Sequence, residues 1–279
     1  MLETEPDRWL KLELLQRSGS FKARGATWRL LAAGGAAERG VVAASGGNFG
    51  IAVADAAARL GVPATIFVAT VTASAKVIAL RDLGADVVVV PGAYPEALAA
   101  SVAHAQRTGA LIAHAYDQRE VVAGAGTMAA ELDDQAPCDT VVVACGGGGL
   151  LAGVLAWCGD RVRVVAVETP GTSTLTAALA AGGPVDVEVA GRCADSLGAG
   201  RLGALAWAAV ERWGVVALVV DDGEVEAAQR DLWSAYRLVA EPGGAAAFAA
   251  LQTGAYRPAH GERVVVVVCG GNVDPATVA

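Results

Sequence analysis

The chain has 279 residues, a formal net charge of −8, 54% hydrophobic residues and only 18% charged ones. That balance argues against nucleic acid as the main partner, because phosphate binding needs clustered Lys and Arg and no basic run occurs. Disorder is excluded on the same grounds, since no long stretch is both polar and charged.

The acidic start MLETEPDRW has no signal-peptide character, so a reducing cytoplasm is expected. Five cysteines (Cys138, Cys145, Cys158, Cys193, Cys269) are odd in number and form no C-x-x-C pair, which disfavours a disulfide framework and a zinc site. The segment SGSFKARGA, Ser18–Ala26, places a lysine at the first turn of a predicted helix. Helix starts favour negative charge, so Lys22 is misplaced there unless something pairs it or removes its charge.

Short β-branched runs follow, read as strands over 41–45, 65–69, 86–90 and 111–115, then 140–145, 162–168, 215–220 and 263–269. Most lack polar alternation, as expected of strands buried on both faces of a parallel sheet. Ala-rich segments such as 51–60 and 74–83 are long enough for crossover helices. The alternation predicts a doubly wound α/β architecture. No repeat or obvious linker stands out, so any domain division is discontinuous or closely packed. The stretch Val141–Cys158 is uncharged over 18 residues, close to the lower length of a membrane helix. Four central glycines favour strand, turn and helix instead, and no membrane partner is expected.

Three glycine-rich turns close predicted strands: SGGNFG (Ser45–Gly50), CGGGGLL (Cys145–Leu151) and CGGN (Cys269–Asn272). In open α/β sheets ligands bind at the carboxyl ends of strands, where such turns lead into helices. Consecutive glycines let backbone N–H groups converge on an anion, and a following helix N-terminus adds a favourable dipole. Four successive glycines cost about 0.5–1 kcal/mol each relative to alanine, so the run reads as a phosphate site. It carries neither GK[ST] nor G-x-G-x-x-G, so neither ATP nor NAD is implied. The Ser45–Asn48 turn is the natural place for a second anion, most simply a small carboxylate.

Taken together, KLELLQRSGSFKARGA, SGGNFG, CGGGGL and CGGN resemble, in order, the motifs of the threonine/serine dehydratase family of pyridoxal-phosphate enzymes, of the tryptophan-synthase-β-like fold (fold type II). AGAGTMAAEL (123–132) and VAEPGGAAAFAAL (239–251) are similar to further family segments. The resemblance implies two doubly wound parallel-sheet domains with the cofactor in the cleft between them: a large cofactor-binding domain of 1–39 and 117–279, and a small substrate-closing domain of 40–116. It implies that Lys22 carries pyridoxal 5'-phosphate as a Schiff base and acts as the catalytic base, with Phe21 packed on the pyridine ring and Asn48 bonded to the ring hydroxyl. Gly146, Gly147, Gly148, Gly149 and Leu150 would hold the phosphate. Ser45, Gly46, Gly47 and Asn48 would hold the substrate carboxylate, and Cys269 would face the pyridine nitrogen. A thiol, unlike an aspartate, does not keep that nitrogen protonated, which suits β-elimination better than chemistry through a long-lived carbanion. The implied reaction converts a β-hydroxy amino acid such as L-threonine or L-serine to a 2-oxo acid and ammonia, in a homodimer.

Racemases of this fold carry a serine where Gly46 stands, so racemisation and β-replacement are lesser alternatives. Glu168 falls where some relatives bind a cation, but Thr and Ser follow it here; it reads as structural and no metal is assigned. Phe49 stands where many relatives have histidine or a small residue, which could narrow the pocket. Relatives also have an additional segment, including a strand, before the region of Trp9–Leu14. Its lack would expose a sheet edge and lends weight to a second alternative, a degenerate homologue that binds cofactor or a metabolite without turnover. No appended regulatory domain, and hence no feedback inhibition, is expected.

Overall fold

Valine-rich runs become strands of two sheets, those at 140–144, 163–168 and 264–268 inside and those at 86–90 and 216–219 at the edges. The computed structural model describes residues 1–278. In chain order the strands are β1 (Leu2–Glu5), β2 (Arg8–Leu12), β3 (Val41–Ala44), β4 (Ala64–Ala69), β5 (Asp86–Val90), β6 (Leu111–Ile112), β7 (Thr140–Ala144), β8 (Arg163–Glu168), β9 (Val216–Val219) and β10 (Val264–Val268). The helices are α1 (Lys22–Ala33), α2 (Asn48–Leu60), α3 (Ser74–Asp82), α4 (Tyr94–Thr108), α5 (Arg119–Gln135), α6 (Gly149–Cys158), α7 (Thr174–Ala181), α8 (Ala194–Leu197), α9 (Ala204–Trp213), α10 (Asp222–Tyr236) and α11 (Pro242–Gln252). The chain divides into two units, one of Met1–Phe21 with the chain from Ala125 onward, the other of Lys22–Gly124.

The first unit holds a six-stranded sheet in the order β1-β2-β10-β7-β8-β9, parallel except for β1. Every residue of β7 and β10 is buried. Helices α6 and α11 are apolar almost all round and lose nearly every side chain to the interior, the signature of helices packed on more than one side. Met128, Leu151 and Leu155 are at most 1% exposed, each contributing about 1.5–3 kcal/mol by burial. The segment Val141–Cys158 resolves into β7, a glycine turn and α6, and no helix among the described residues is long and apolar enough to cross a membrane.

Strands β1 and β2 do not follow from β-branched runs, because LETE and RWLKL carry charges. Their pairing explains them. β2 lies parallel to β10, Arg8 opposite Val264 through Leu12 opposite Val268, and β1 folds back antiparallel on its outer side. One edge of this sheet is therefore β1, whose residues alternate between half-buried and exposed, and the other is β9. Lys11 is tolerated inside the unit at 5% exposure because Glu131 and Gln135 of α5 accept from its Nζ.

The second unit holds a four-stranded parallel sheet in the order β5-β4-β3-β6. Its two faces follow the two-residue period of a strand. Val41, Ala43, Ile66 and Val68 pack with Leu30 of α1, Phe49 and Val53 of α2 and Leu80 of α3. Val42, Ala44 and Phe67 point the other way, onto Ala97 and Ala105 of α4. This is the doubly wound arrangement. The unit takes in α1 and the start of α5, whereas the sequence divides the chain at 39/40 and 116/117. Close packing within the unit accounts for its bounds: a Cβ on Gly124 would stand 2.7 Å from Gly25 Cα, and Val121 joins the core with Leu30. The ladder of β6 stops at Ile112, before 113–115, because the chain turns at His114, whose N–H donates to Gln118 Oε1.

Candidate functional site

In the first unit, β7 runs into Cys145 and then the glycine turn. Gly148 has φ +83° and caps α6, a left-handed conformation that costs other residues about 1–2 kcal/mol. Gly146 is needed for a different reason: a Cβ there would lie 2.4 Å from the Leu197 carbonyl oxygen. The turn thus sits flush on its own unit, and three successive carbonyls are engaged by it. Gly146 O accepts from Thr174 Oγ1 at 2.5 Å, Gly147 O from Gly203 N at 3.1 Å and Gly148 O from Ala152 N at 2.8 Å. The first-turn N–H groups of α6, on Gly149, Leu150 and Leu151, have no acceptor within the helix. Carbonyls tied to protein and amides at a helix start suit an anion, which fits a cofactor phosphate at Gly146–Leu150.

The CGGN segment is stitched to the residues before Lys22. Phe21 N–H donates to the Cys269 carbonyl at 2.9 Å, Gly271 N–H to Gly19 O at 2.9 Å and Asn272 Nδ2 to Ser18 O at 2.8 Å. Phe21 and Cys269 are thereby brought together. The Cys269 thiol is 4% exposed and donates to Gly243 O at 3.4 Å. Ser20 pairs with Gly270 as an isolated bridge, and its Oγ is fully buried without a hydrogen-bond partner among the described residues. A buried orphan hydroxyl asks for a ligand or water atom, a second observation that fits a bound group here. Ser20 is a residue that motif reading passed over, for its neighbours Phe21 and Lys22 drew the attention.

In the second unit, Lys22 opens α1. Its Nζ donates to the Ala115 carbonyl at 2.8 Å and lies 5.8 Å from the centre of the Phe49 ring. Phe49 itself is 2% exposed and belongs to the unit's core. Beside Ala115, His114 Nδ1 accepts from Asp117 N at 2.9 Å, which leaves the imidazole proton on Nε2. Burial lowers the His114 pKa, with the charge of Asp117 opposing and that of Lys22 reinforcing the shift.

The turn at Ser45–Asn48 enters α2 through Gly47 in an extended conformation. Gly47 N–H donates to Ser45 Oγ at 3.3 Å, and the first N–H groups of α2 have no intrahelical acceptor, so this turn also suits an anion. A Cβ on Gly46 would stand 2.6 Å from Thr72 Cγ2. The space that a side chain at 46 would use is occupied.

Glu168, at the carboxyl end of β8, is fully buried. Oε1 accepts from Leu175 N at 2.7 Å, and Oε2 from Thr176 N at 2.9 Å and Thr176 Oγ1 at 2.7 Å. Burial raises its pKa while these bonds favour the charged form. Burial, with a smaller push from Glu168, also holds the Cys145 thiol well above its ordinary value. The hydroxyl-rich stretch TPGTST after a strand end was the signal for this cluster. Among the described residues no group of three or more His, Cys, Asp or Glu is placed to hold a metal ion.

The family described as pyridoxal-phosphate dependent enzyme matches residues 2–270. The chain belongs to that family. Among curated members, the L-threonine ammonia-lyase of Thermotoga maritima is 34% identical over 95% of this chain and 67% of its own length. The biosynthetic L-threonine dehydratase of Escherichia coli is 38% identical over 95% of this chain but only 53% of its own. The phenylserine dehydratase of Ralstonia pickettii is 36% identical over 96% of this chain and 84% of its own. The chain thus spans about half to four-fifths of the lengths of these three relatives. Among solved members, maize serine racemase aligns with a TM-score of 0.91 at 30% identity, covering 97% of this chain and 84% of that one. The processed threonine deaminase isoform 2 of Solanum lycopersicum aligns at 0.89 and 28%, covering 97% and 80%. These pyridoxal-phosphate-dependent relatives have the parallel-sheet α/β fold described above.

Proposed function

We propose that this chain catalyses β-elimination of a β-hydroxy amino acid to a 2-oxo acid and ammonia. The reading rests on threonine and phenylserine dehydratases among its relatives, and the observation that carries it over racemisation is Gly46, whose side-chain space Thr72 fills. Lys22 would hold pyridoxal 5'-phosphate through Nζ, the Gly146–Leu150 amides its phosphate, Phe21 the ring face, Asn48 the ring hydroxyl and Cys269 the ring nitrogen. When bound, the cofactor supplies the electron sink that makes the α-proton of an amino acid removable.

With substrate in place, the Lys22 amine is the general base that would take the α-proton. Its neighbours aid this: the Ala115 carbonyl and the Phe49 ring face stabilise the ammonium that forms. The Ser45–Asn48 turn, with the start of α2 behind it, would fix the substrate carboxylate and so aim the α-proton at Nζ. The β-hydroxyl then leaves with the electron pair of the broken Cβ–O bond and becomes water by taking up the proton that Lys22 Nζ removed from Cα; the product enamine tautomerises to an imine, whose hydrolysis gives the keto acid and ammonium. We place the reaction in the cytoplasm, consistent with five free cysteines, and in a homodimer. Trp28 and Leu31, one turn apart on α1 and 46% and 52% exposed, are apolar surface that a second copy would cover.

The test is the visible spectrum of the protein with pyridoxal phosphate, beside Lys22→Ala, followed by keto-acid assays with L-threonine, L-serine and L-phenylserine. A band that requires Lys22, with keto acid released from one of the three, supports the reading. A Lys22-dependent band without keto acid would replace it by cofactor binding without turnover, and D-serine formed from L-serine would replace it by racemisation.

A further inference from the structure

The Glu168 cluster lies one strand away from the glycine turn. β8 pairs in parallel with β7, Val167 opposite Ala144, so Glu168 and Cys145 follow at neighbouring strand ends. The carboxylate binds the first turn of α7 through the amides of Leu175 and Thr176. α7 begins at Thr174, which is also fully buried. Thr174 Oγ1 is 2.5 Å from Gly146 O and 3.4 Å from Glu168 Oε1. It has a single proton, and the shorter contact takes it. A buried carboxylate needs compensation, and here the two amides of a helix start and the Thr176 hydroxyl provide it. In return the carboxylate fixes where α7 starts, and therefore where the Thr174 hydroxyl stands.

We propose that Glu168 and Thr174 are positioning residues for the phosphate turn: Glu168 anchors α7, and Thr174 holds the Gly146 carbonyl turned into the protein so that the amides of the following glycines face the other way. The proposal rests on assigning that turn to the cofactor phosphate. Neither residue touches the cofactor in this scheme. An aligned set of amides loses its advantage when the peptide at its start is free to rotate, so the effect falls on the phosphate and not on the ring.

The experiment compares the dissociation constants of pyridoxal 5'-phosphate and of pyridoxal, which lacks the phosphate, by absorption titration of the apo-protein. Wild type is expected to prefer the phosphorylated form strongly. Thr174→Val and Glu168→Gln are expected to reduce that preference about tenfold, or 1.4 kcal/mol, while pyridoxal binds as before. Thr174→Ser restores the preference. Thr176→Val removes a bond to Glu168 without touching Gly146 O, and is expected to leave it closer to wild type than Thr174→Val does. If Thr174→Val does not fold, Thr174→Ala removes the same donor without added apolar bulk and is read in the same way.

An unchanged preference in Thr174→Val, or failure of Thr174→Ser to restore it, overturns the positioning role and leaves the assignment of the turn standing. Equal loss for both ligands overturns it too, since a general structural defect does not discriminate. Equal affinity of wild type for the two ligands overturns the assignment of the turn itself, and the positioning role with it.

Discussion

Replacing Gly46 by serine tests both the packing of the Ser45–Asn48 turn and the case against racemisation. The new Cβ would stand 2.6 Å from Thr72 Cγ2, 3.0 Å from its Oγ1 and 3.4 Å from its Cβ. Only the last is an ordinary contact, so Thr72 must change rotamer or the turn must shift. An off-rotamer side chain costs about 0.5–1.5 kcal/mol and overpacking about 1–3 kcal/mol. We therefore expect Gly46→Ser to destabilise the protein by about 1–2 kcal/mol. Thr72→Ala removes both offending atoms and leaves the 3.4 Å contact, so the double variant should recover most of the loss. A urea-unfolding double-mutant cycle should then give a coupling of about 1–2 kcal/mol. Chiral chromatography of L-serine incubated with each variant supplies the functional half: the double variant should form D-serine faster than wild type. If Gly46→Ser alone is as stable as wild type, or if Thr72→Ala fails to relieve it, the packing argument is wrong. If neither variant racemises while elimination persists, a hydroxyl at position 46 is not what the chain lacks.

Gly148→Ala should weaken pyridoxal-phosphate binding and cost at least about 1–2 kcal/mol of stability, because φ is +83° and the new Cβ would meet Leu202 Cδ1 at 2.8 Å; a thermal melt that matches wild type would refute this. The Asp139 carboxyl is held at about 2, below its ordinary 3.8, by hydrogen bonds from Arg263. Its contribution is present above pH 3.8 and lost as pH falls through about 2. Urea midpoints should therefore favour wild type over Asp139→Asn near pH 5 and converge near pH 2. Burial lowers the His114 pKa from 6.5, so its contribution is present above pH 6.5 and lost as pH falls below it. A His114→Gln variant should lose less stability than wild type over that descent, and parallel curves would show that His114 does not carry the dependence.

The inner strands β7 and β10 were legible because burial on both faces leaves the valine runs 141–143 and 264–268 uninterrupted; the equally continuous run of β5 lies at a sheet edge with Val89 exposed. β1 and β2 were not, since LETE and RWLKL look like surface chain until Glu131 and Gln135, more than a hundred positions away, are found on Lys11. The glycine turns announced themselves, but the reasons for individual glycines did not. Gly146 answers to a carbonyl of Leu197 and Gly46 to a methyl of Thr72, partners that no local pattern contains. The same holds for Lys22, whose place at a helix start becomes intelligible only once the Ala115 carbonyl is seen to receive its Nζ. Glu168 was legible as a strand-end carboxylate; its grip on α7 depends on tertiary placement.

The pairing of β2 with β10 sets a timetable for synthesis. Residues 22–124 form one uninterrupted stretch containing all four strands of their sheet, so that unit can close soon after it leaves the ribosome. The other sheet cannot. Residues Arg8–Leu12 are made long before Val264–Val268 and must wait for them before the strand between β2 and β7 exists. Contacts so distant in sequence form slowly, and until β10 is made the charged β1–β2 hairpin lacks the partner strand of β2. The lysine, arginine and glutamates of β1 and β2 then serve a second purpose, keeping an early, unpaired edge from joining the wrong neighbour.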